Sequence, residues 1–295
     1  MAASAPILQF EGMVKCKSFY RILSSDFKMA NEECEKSIRH SWDAINNTTS
    51  TDGGKAWLSS SWKLCKPLTK SDDVQKLKDW LVNIYTNFGM LDYPYPTNFL
   101  TPLPANPIVE MCQFLNDSTV PEKKLLEGVF KAVTVYFNFT GTASCLNVDD
   151  QAGPNLGVDG WDYQACTEMV MPMCSDGEKD MFEPQKWDLV KYVKDCKSKF
   201  WGVEPQPQLV PLRYGGLDLA SASSNIIFSN GLRDPWAGGG VLRNLSDSVV
   251  SVVIPEGAHH LDLRGSHPND PFSVVMARNF YRDTFVKWIS SFFEI

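Results

Sequence analysis

The sequence predicts an α/β fold in which a long helical segment precedes two strands of a buried sheet. Two short apolar runs rich in β-branched residues, Asn225 to Phe228 and Ser248 to Ile254, are typical of buried strands. Residues 16–205 instead repeat apolar side chains at helical spacing. All eight cysteines lie in the first two-thirds of the chain, which sets the helical segment apart from the strand region.

The helical segment contains three amphipathic stripes, which we interpret as core faces rather than a cofactor site. They consist of Cys34, Ile38, Trp42 and Ile45, of Val74, Leu77, Leu81, Ile84 and Phe88, and of Leu125, Val129, Val133 and Phe137. Pro121 suits the start of the third helix, and Gly89 suits the end of the second. Residues 89–107 and 150–160, rich in Pro, Gly, Tyr and Asp, are predicted loops.

The stretch from Trp161 to Cys174 reads W-D-Y-Q-A-C-T-E-M-V-M-P-M-C. We interpret it as a non-helical, methionine-rich turn held by two cysteines. Adaptable methionine side chains and an aromatic face suit a small apolar pocket for a proline ring. Ordinary core packing is the alternative for each residue taken singly.

Each predicted strand ends in a turn that carries a side chain with catalytic chemistry. Asp234 follows the first strand, and His259 and His260 follow the second. A buried carboxylate bound to one imidazole nitrogen leaves the other nitrogen to take a proton from a serine hydroxyl. We predict that Asp234 orients the ring and that His259 is the general base, in the Ser…Asp…His order of α/β-hydrolases. The alternative is an Asp that braces its turn and a loop His.

A last helix is predicted to start at Asp270-Pro271, a cap residue followed by a proline at the first helical position. Its apolar face would comprise Tyr281, Phe285, Trp288 or Ile289, and Phe292. We expect this face to pack against the sheet.

Composition limits the function classes. The 295 residues are 43% hydrophobic and 21% charged, which is typical of a folded globular chain with one large or two ordinary domains. The net charge of −7, without a basic stripe, argues against nucleic acid as a partner. No stretch approaches the length of a membrane-spanning helix. Residues 1–8 lack the regions of a signal peptide, so we expect such a signal to precede this sequence.

The cysteines predict four disulfides formed in an oxidising compartment, because they are even in number and widely spaced. Eight free thiols in a cytosolic protein are the alternative. No C-x-x-C pair occurs, so we expect no metal site, and no motif predicts a cofactor. Five N-x-S/T sequons favour the oxidising compartment. They lie at Asn46, Asn47, Asn116, Asn138 and Asn244.

Two phrases resemble a known family. They are N-I-I-F-S-N-G-L-R-D-P-W-A-G-G-G, from Asn225 to Gly240, and G-A-H-H-L-D-L-R, from Gly257 to Arg264. Both resemble the serine exopeptidases that cleave after proline, a family comprising lysosomal Pro-X carboxypeptidase and dipeptidyl peptidase II. The resemblance places Asp234 and His259 at the family's catalytic Asp and His, although Arg233 stands where family members have Leu.

The resemblance implies the C-terminal part of an α/β-hydrolase fold with a large helical, disulfide-rich cap. Residues 1–15 would end a sheet strand and leave the sheet, residues 16–205 would form the cap, and residues 206–295 would form the hydrolase segment with Asp and His. Met171 and Trp236 would lie at the pocket for proline. The implied disulfides are Cys16–Cys174, Cys34–Cys112, Cys65–Cys145 and Cys166–Cys196.

The resulting expectation is a serine-type exopeptidase that releases a C-terminal residue after proline from peptide substrates. Dipeptidyl peptidase II-like release of N-terminal dipeptides is the alternative. The sequence from Met171 to Pro184 resembles the carboxypeptidase more closely. The family's nucleophile belongs to a G-x-S-x-G motif, and this chain begins too late to contain it, so we expect the chain alone to be inactive. A non-catalytic binding module is the other alternative. The resemblance also implies a lysosomal or secreted protein and a homodimer.

Overall fold

A computed structural model describes residues 1–149, 158–200 and 202–293. The chain forms two compact units. The sheet unit comprises Met1–Ile22, Asp162–Cys174 and Trp187–Ile295, and the helical unit comprises Leu23–Trp161 and Ser175–Lys186. The helices and the parallel sheet confirm the α/β class. Residues 16–22, 162–174 and 187–205, which were expected in the cap, belong to the sheet unit.

Ten α-helices precede the two long strands among the described residues, and the first eight lie before residue 200. In chain order these eight are α1 (Ser18–Ala30), α2 (Glu32–Thr49), α3 (Asp52–Ser61), α4 (Ser71–Met90), α5 (Pro107–Cys112), α6 (Glu122–Phe137), α7 (Val158–Thr167) and α8 (Leu189–Lys199). The three predicted stripes fall on α2, α4 and α6, which confirms the helical prediction for these segments. Asn31 caps α2, because its side-chain oxygen accepts from the amides of Glu33 and Cys34.

Buried aromatic side chains form the core of the helical unit. The ring of Tyr85 packs edge-to-face against Trp42 at 6.1 Å between centroids. Trp62 is fully buried, stacks on Phe130 at 6.1 Å, and donates its Nε1 hydrogen to the carbonyl of Leu126 at 2.9 Å. Apolar burial on this scale, with the indole N–H satisfied, accounts for the stability of the unit.

Two predicted irregular segments contain regular structure. Residues 89–107 include the short antiparallel strands β2 (Thr97–Asn98) and β3 (Pro102–Leu103). Of the predicted loop 150–160, residues 150–157 lie outside the described part of the chain. For residues 158–160 the loop prediction is wrong, because α7 begins at Val158.

The predicted non-helical turn from Trp161 to Cys174 is also wrong in its first half. Helix α7 continues to Thr167, and residues 168–174 alone are non-helical. Tertiary contacts stabilise this helix, since Cys166 is bonded to Cys196 and the ring of Tyr163 packs against Phe200 at 5.6 Å. Periodicity alone does not reveal such contacts.

The sheet consists of three parallel strands in the order β1-β4-β5, with β1 at Ala2–Ala3, β4 at Ile226–Gly231 and β5 at Val249–Ile254. The short helices α9 (Leu209–Tyr214) and α10 (Leu219–Ala222) lead into β4. Both predicted strands are confirmed. Strand β4 extends three residues further than predicted, because Ser229, Asn230 and Gly231 continue to pair with β5.

Helix α11 (Phe272–Phe293) follows the sheet, and the prediction for its buried face is right only at Tyr281. Val274, Ala277 and Tyr281 are buried, whereas Ile289 and Phe292 are 58% and 74% exposed. The main packing contacts of α11 are with β5 and the turn at Leu261–Leu263, and the buried residues of the helix lie in its first half. Its second half forms an open groove of about 240 Å³ lined by Phe285, Trp288, Ile289, Phe292 and Phe293.

The predicted cap of α11 is likewise wrong. The Asp270 carboxylate accepts from Arg278 at 2.6 Å and from the amide of His267 at 2.8 Å. The helix begins at Phe272, one residue after the proline. The guanidinium of Arg278, six residues after the helix start, competes for the carboxylate, which the local sequence pattern does not reveal.

Candidate active site

The turns after β4 and β5 pack directly against each other. The amides of Leu232 and Arg233 donate to the carbonyls of Ile254 and Gly257, both at 3.0 Å, so the contact continues past the strand ends. Gly231 is required at this point, because an added Cβ would lie 2.1 Å from the Gly257 carbonyl oxygen. The two predicted catalytic side chains are thereby carried to the same edge of the sheet.

Asp234 is fully buried, and both of its carboxylate oxygens are hydrogen-bonded. One oxygen, Oδ2, lies 2.9 Å from Nδ1 of His259. The other, Oδ1, accepts from the amide of Trp236 at 3.1 Å. A buried carboxylate is costly unless it is paired, so this pair fixes the orientation of the imidazole ring.

The two adjacent histidines occupy different environments. The side chain of His259 is 22% exposed, so its ring remains within reach of a bound molecule. The ring of His260 lies 4.1 Å from that of His259. Burial, and to a lesser extent the neighbouring His259, lowers the pKa of His260 to about 4. His260 is therefore uncharged at neutral pH.

The segments that carry Met171 and Trp236 both contact Gln9. The Gln9 side chain, 1% exposed, donates to the carbonyl of Pro172 at 2.6 Å. Gly239 follows Trp236 in the same turn and packs against Gln9, where an added Cβ would lie 2.6 Å from the Gln9 Cβ. The half-buried ring of Trp236 packs edge-to-face against Phe19 at 4.7 Å. Met171 is half-buried as well.

Serine hydrolases use a buried Asp paired with a partly exposed His to orient a proton-accepting imidazole, and the pair described above has this arrangement. A profile of the family described as Serine carboxypeptidase S28 matches residues 1–281. The chain belongs to the serine carboxypeptidase S28 family.

Several named relatives of this S28 chain are similar over nearly its whole length. Lysosomal Pro-X carboxypeptidase of Bos taurus is 50% identical over 293 residues, which are 99% of this chain and 58% of the relative. The Homo sapiens protein of the same name is 47% identical over 294 residues, 100% of this chain and 59% of the relative. Prolyl carboxy peptidase like protein 5 of Caenorhabditis elegans is 34% identical over 304 residues, 98% of this chain and 60% of the relative. The chain thus spans less than two-thirds of the length of these relatives.

The S28 chain uses all eight cysteines in disulfides. The bridges are Cys16–Cys174, Cys34–Cys112, Cys65–Cys145 and Cys166–Cys196. These pairs are the ones that the family resemblance implies. In the sheet unit, Cys166 and Cys174 therefore hold the chain on either side of the methionines at positions 169, 171 and 173.

The sequons of the S28 chain differ in accessibility. Asn46, Asn47, Asn116 and Asn244 are exposed. Asn138 is half-buried, and its amide oxygen accepts from the amide of Ala143 at 2.7 Å. Glycosylation stays a prediction at all five, with Asn138 the least accessible.

The described residues contain neither a metal-binding cluster nor a membrane-spanning helix. No group of three or more His, Cys, Asp or Glu side chains there is arranged to hold a metal ion. No helix in the same ranges combines the length and apolar character needed to cross a membrane.

Sequence reasoning missed three buried polar residues around the site, namely Ser4, Gln9 and Asp262. The only signal in the sequence was that Ser4 and Gln9 lie within or directly after an apolar run. Their importance depends on partners that lie far away along the chain.

Proposed function

We propose that this chain supplies the Asp and His of a Ser-His-Asp peptidase that releases a C-terminal residue after proline. The observation that carries the proposal is the 2.9 Å contact between His259 Nδ1 and the buried Asp234. In this arrangement Asp234 holds the tautomer with hydrogen on Nδ1. The other ring nitrogen then takes the proton of the serine nucleophile and returns it to the leaving group.

The substrate side of the proposal rests on the pocket residues and on the relatives. Met171 and Trp236 would contact the proline ring, and Gln9, which touches both segments, would hold them in place. Relatives that are 47% and 50% identical carry the name Pro-X carboxypeptidase. The names favour C-terminal cleavage over the dipeptidyl peptidase alternative.

The location and partners follow from the same comparison. The mammalian relatives are named lysosomal, and four disulfides suit an oxidising compartment. We therefore propose a lysosomal protein that acts on proline-containing peptides, with a homodimer as the expected assembly.

The nucleophile is the part of the mechanism that the 295 residues do not supply in a recognisable motif, because no G-x-S-x-G occurs in them. We expect the purified 295-residue chain to show no turnover of Pro-X peptides. Detectable hydrolysis that survives repeated purification would contradict this expectation and would indicate a different nucleophile.

A chimera tests the proposed function directly. This chain replaces the matched 58% of the bovine relative, so that the remainder of that protein supplies the rest of the fold. We expect the chimera to hydrolyse an N-terminally blocked peptide that ends in Pro-X, and we expect His259→Gln to abolish turnover. His267→Gln, at an exposed histidine, is the matched control.

The same assay separates the alternatives. A C-terminally blocked peptide with a free N-terminus and proline at its second position would be cleaved by a dipeptidyl peptidase but not by a carboxypeptidase. Cleavage of this second peptide alone would overturn the proposed specificity. A folded chimera that cleaves neither peptide would overturn the proposed function.

A further inference from the structure

A buried carboxylate lies three residues after His259 and takes no part in the mechanism above. Asp262 is 5% exposed, and its Oδ2 accepts from the hydroxyl groups of Ser229 at 2.7 Å and Tyr281 at 2.8 Å. Its backbone carbonyl accepts from Nε of Arg278 at 2.9 Å. Asp262 therefore joins β4, α11 and the turn that follows His259.

The donors at this junction are suited to hold a carboxylate. Burial and the charge of Asp262 both raise the pKa of Tyr281, so its phenol stays protonated and can donate. The Arg278 guanidinium also donates from Nη2 to the carbonyl of Arg264 at 2.9 Å and from Nη1 to the Asp270 carboxylate. These contacts place fixed positive charge beside the turn that contains Asp262.

Asp262 also closes a ring of hydrogen bonds that includes the peptide N–H directly after His259. The carbonyl of Ser229 accepts from the amide of Ser4 at 2.7 Å, and the Ser4 hydroxyl accepts from the amide of His260 at 2.7 Å. The chain then runs from His260 to Asp262, whose carboxylate returns to the Ser229 side chain. Within this ring His260 has a left-handed backbone with φ of 41°, a conformation that is uncommon for residues other than glycine.

We infer that Asp262 is a positioning residue that holds His259 against Asp234 by fixing the His259–His260 turn to β4. Asp262 acts through the turn, and it does not itself contact the imidazole pair in this role. The inference rests on the proposed function, in which the Asp234–His259 pair is the acid–base unit. It adds a second buried carboxylate, with a different task, to the same edge of the sheet.

The test uses the 295-residue chain with ¹⁵N-labelled histidine and requires no catalysis. The chain has four histidines, so each can be assigned by a single substitution. We expect a hydrogen-bonded Nδ1–H signal of His259 in the wild type. In Asp262→Ala this signal should be lost to exchange with water, which becomes faster by on the order of tenfold because hydrogen bonds to a charged acceptor are removed.

Two variants distinguish positioning from a general loss of structure. Asp262→Asn retains one acceptor oxygen and should restore part of the signal. Asp283→Ala removes an exposed carboxylate from the same helix that carries Tyr281 and should leave the signal unchanged. Near-UV circular dichroism reports whether each variant keeps its packed aromatic core.

The outcomes separate the inference from the proposed function. A wild-type spectrum without the Nδ1–H signal would contradict the Asp234–His259 pair and hence the proposed function. A wild-type signal that persists unchanged in folded Asp262→Ala would overturn the positioning role alone. If Asp262→Ala unfolds, Ser229→Ala and Tyr281→Phe, which each remove one donor, decide the matter, and an unchanged signal in both overturns the role.

Discussion

Buried polar groups join distant segments in both units, but those of the sheet unit lie in the unit that contains Asp234 and His259. In the helical unit, some buried hydroxyl groups bond within their own helix, as Ser41 does to the carbonyl three residues earlier at 2.7 Å. Others reach further, as Ser37 does to the carbonyl of Leu115 at 3.4 Å. In the sheet unit, buried polar side chains reach distant segments. Ser229 bonds to Asp262, 33 positions away, and Gln9 bonds to Pro172, 163 positions away.

Hydrogen bonds within one helix and hydrogen bonds between distant segments contribute differently to the fold. A hydroxyl that bonds within its own helix satisfies itself wherever that helix packs, so it specifies little about the fold. A hydroxyl or amide that joins two distant segments is satisfied only in one arrangement, and leaving it unpaired is costly. The aromatic core and two disulfides stabilise the helical unit. In the sheet unit, the Ser229–Asp262 bond joins β4, which leads to Asp234, to the turn that follows His259.

The largest expected change in stability lies in the helical unit. Trp62→Ala removes a fully buried indole that stacks on Phe130, and we expect it to lower the free energy of unfolding by about 3–5 kcal/mol. Urea denaturation followed by circular dichroism measures this loss. Trp161→Ala, at an indole 49% exposed, is the matched control and should change stability by about 0.5 kcal/mol or less. Equal losses in the two variants would contradict the assignment of stability to the aromatic core.

A smaller effect, dependent on pH, is expected in the sheet unit. Burial lowers the pKa of His260 from 6.5 to about 4, so the unfolded chain binds a proton more readily than the folded chain between these values. The stability contributed by neutral His260 is therefore fully present above pH 6.5 and is lost as the pH falls through 4. His259 and Arg264 act in the same direction as burial, and Asp234 opposes them.

Replacing His260 tests this dependence. We expect His260→Asn, which tolerates the left-handed backbone, to flatten the decline of the urea midpoint between pH 6.5 and 4. His267→Asn, at an exposed histidine, should leave the decline as in the wild type. A decline that is equally steep in all three proteins would show that other groups cause it.

The sequence predicted the parts of the fold that depend on local pattern. The stripes of α2, α4 and α6 and the strands β4 and β5 follow from periodicity, and the Asp234–His259 contact follows from two strand ends that meet at one edge. The role of Asp262 could not be predicted from the sequence, because its partners Ser229 and Tyr281 are identifiable only once the strands and α11 are packed. For the same reason the exposure of Phe292 was missed, since helical periodicity identifies an apolar face but not whether a neighbour covers it.

The central claim is that Asp234 and His259 act as one acid–base unit, and the turnover of the chimera with Asp234→Asn tests it most directly. We predict that kcat falls by on the order of 10⁴-fold while KM changes little, because the amide stabilises the wrong tautomer of His259. Asp247→Asn, at an exposed carboxylate between β4 and β5, should leave kcat unchanged. A folded Asp234→Asn chimera with the kcat of the unmodified protein would contradict the claim.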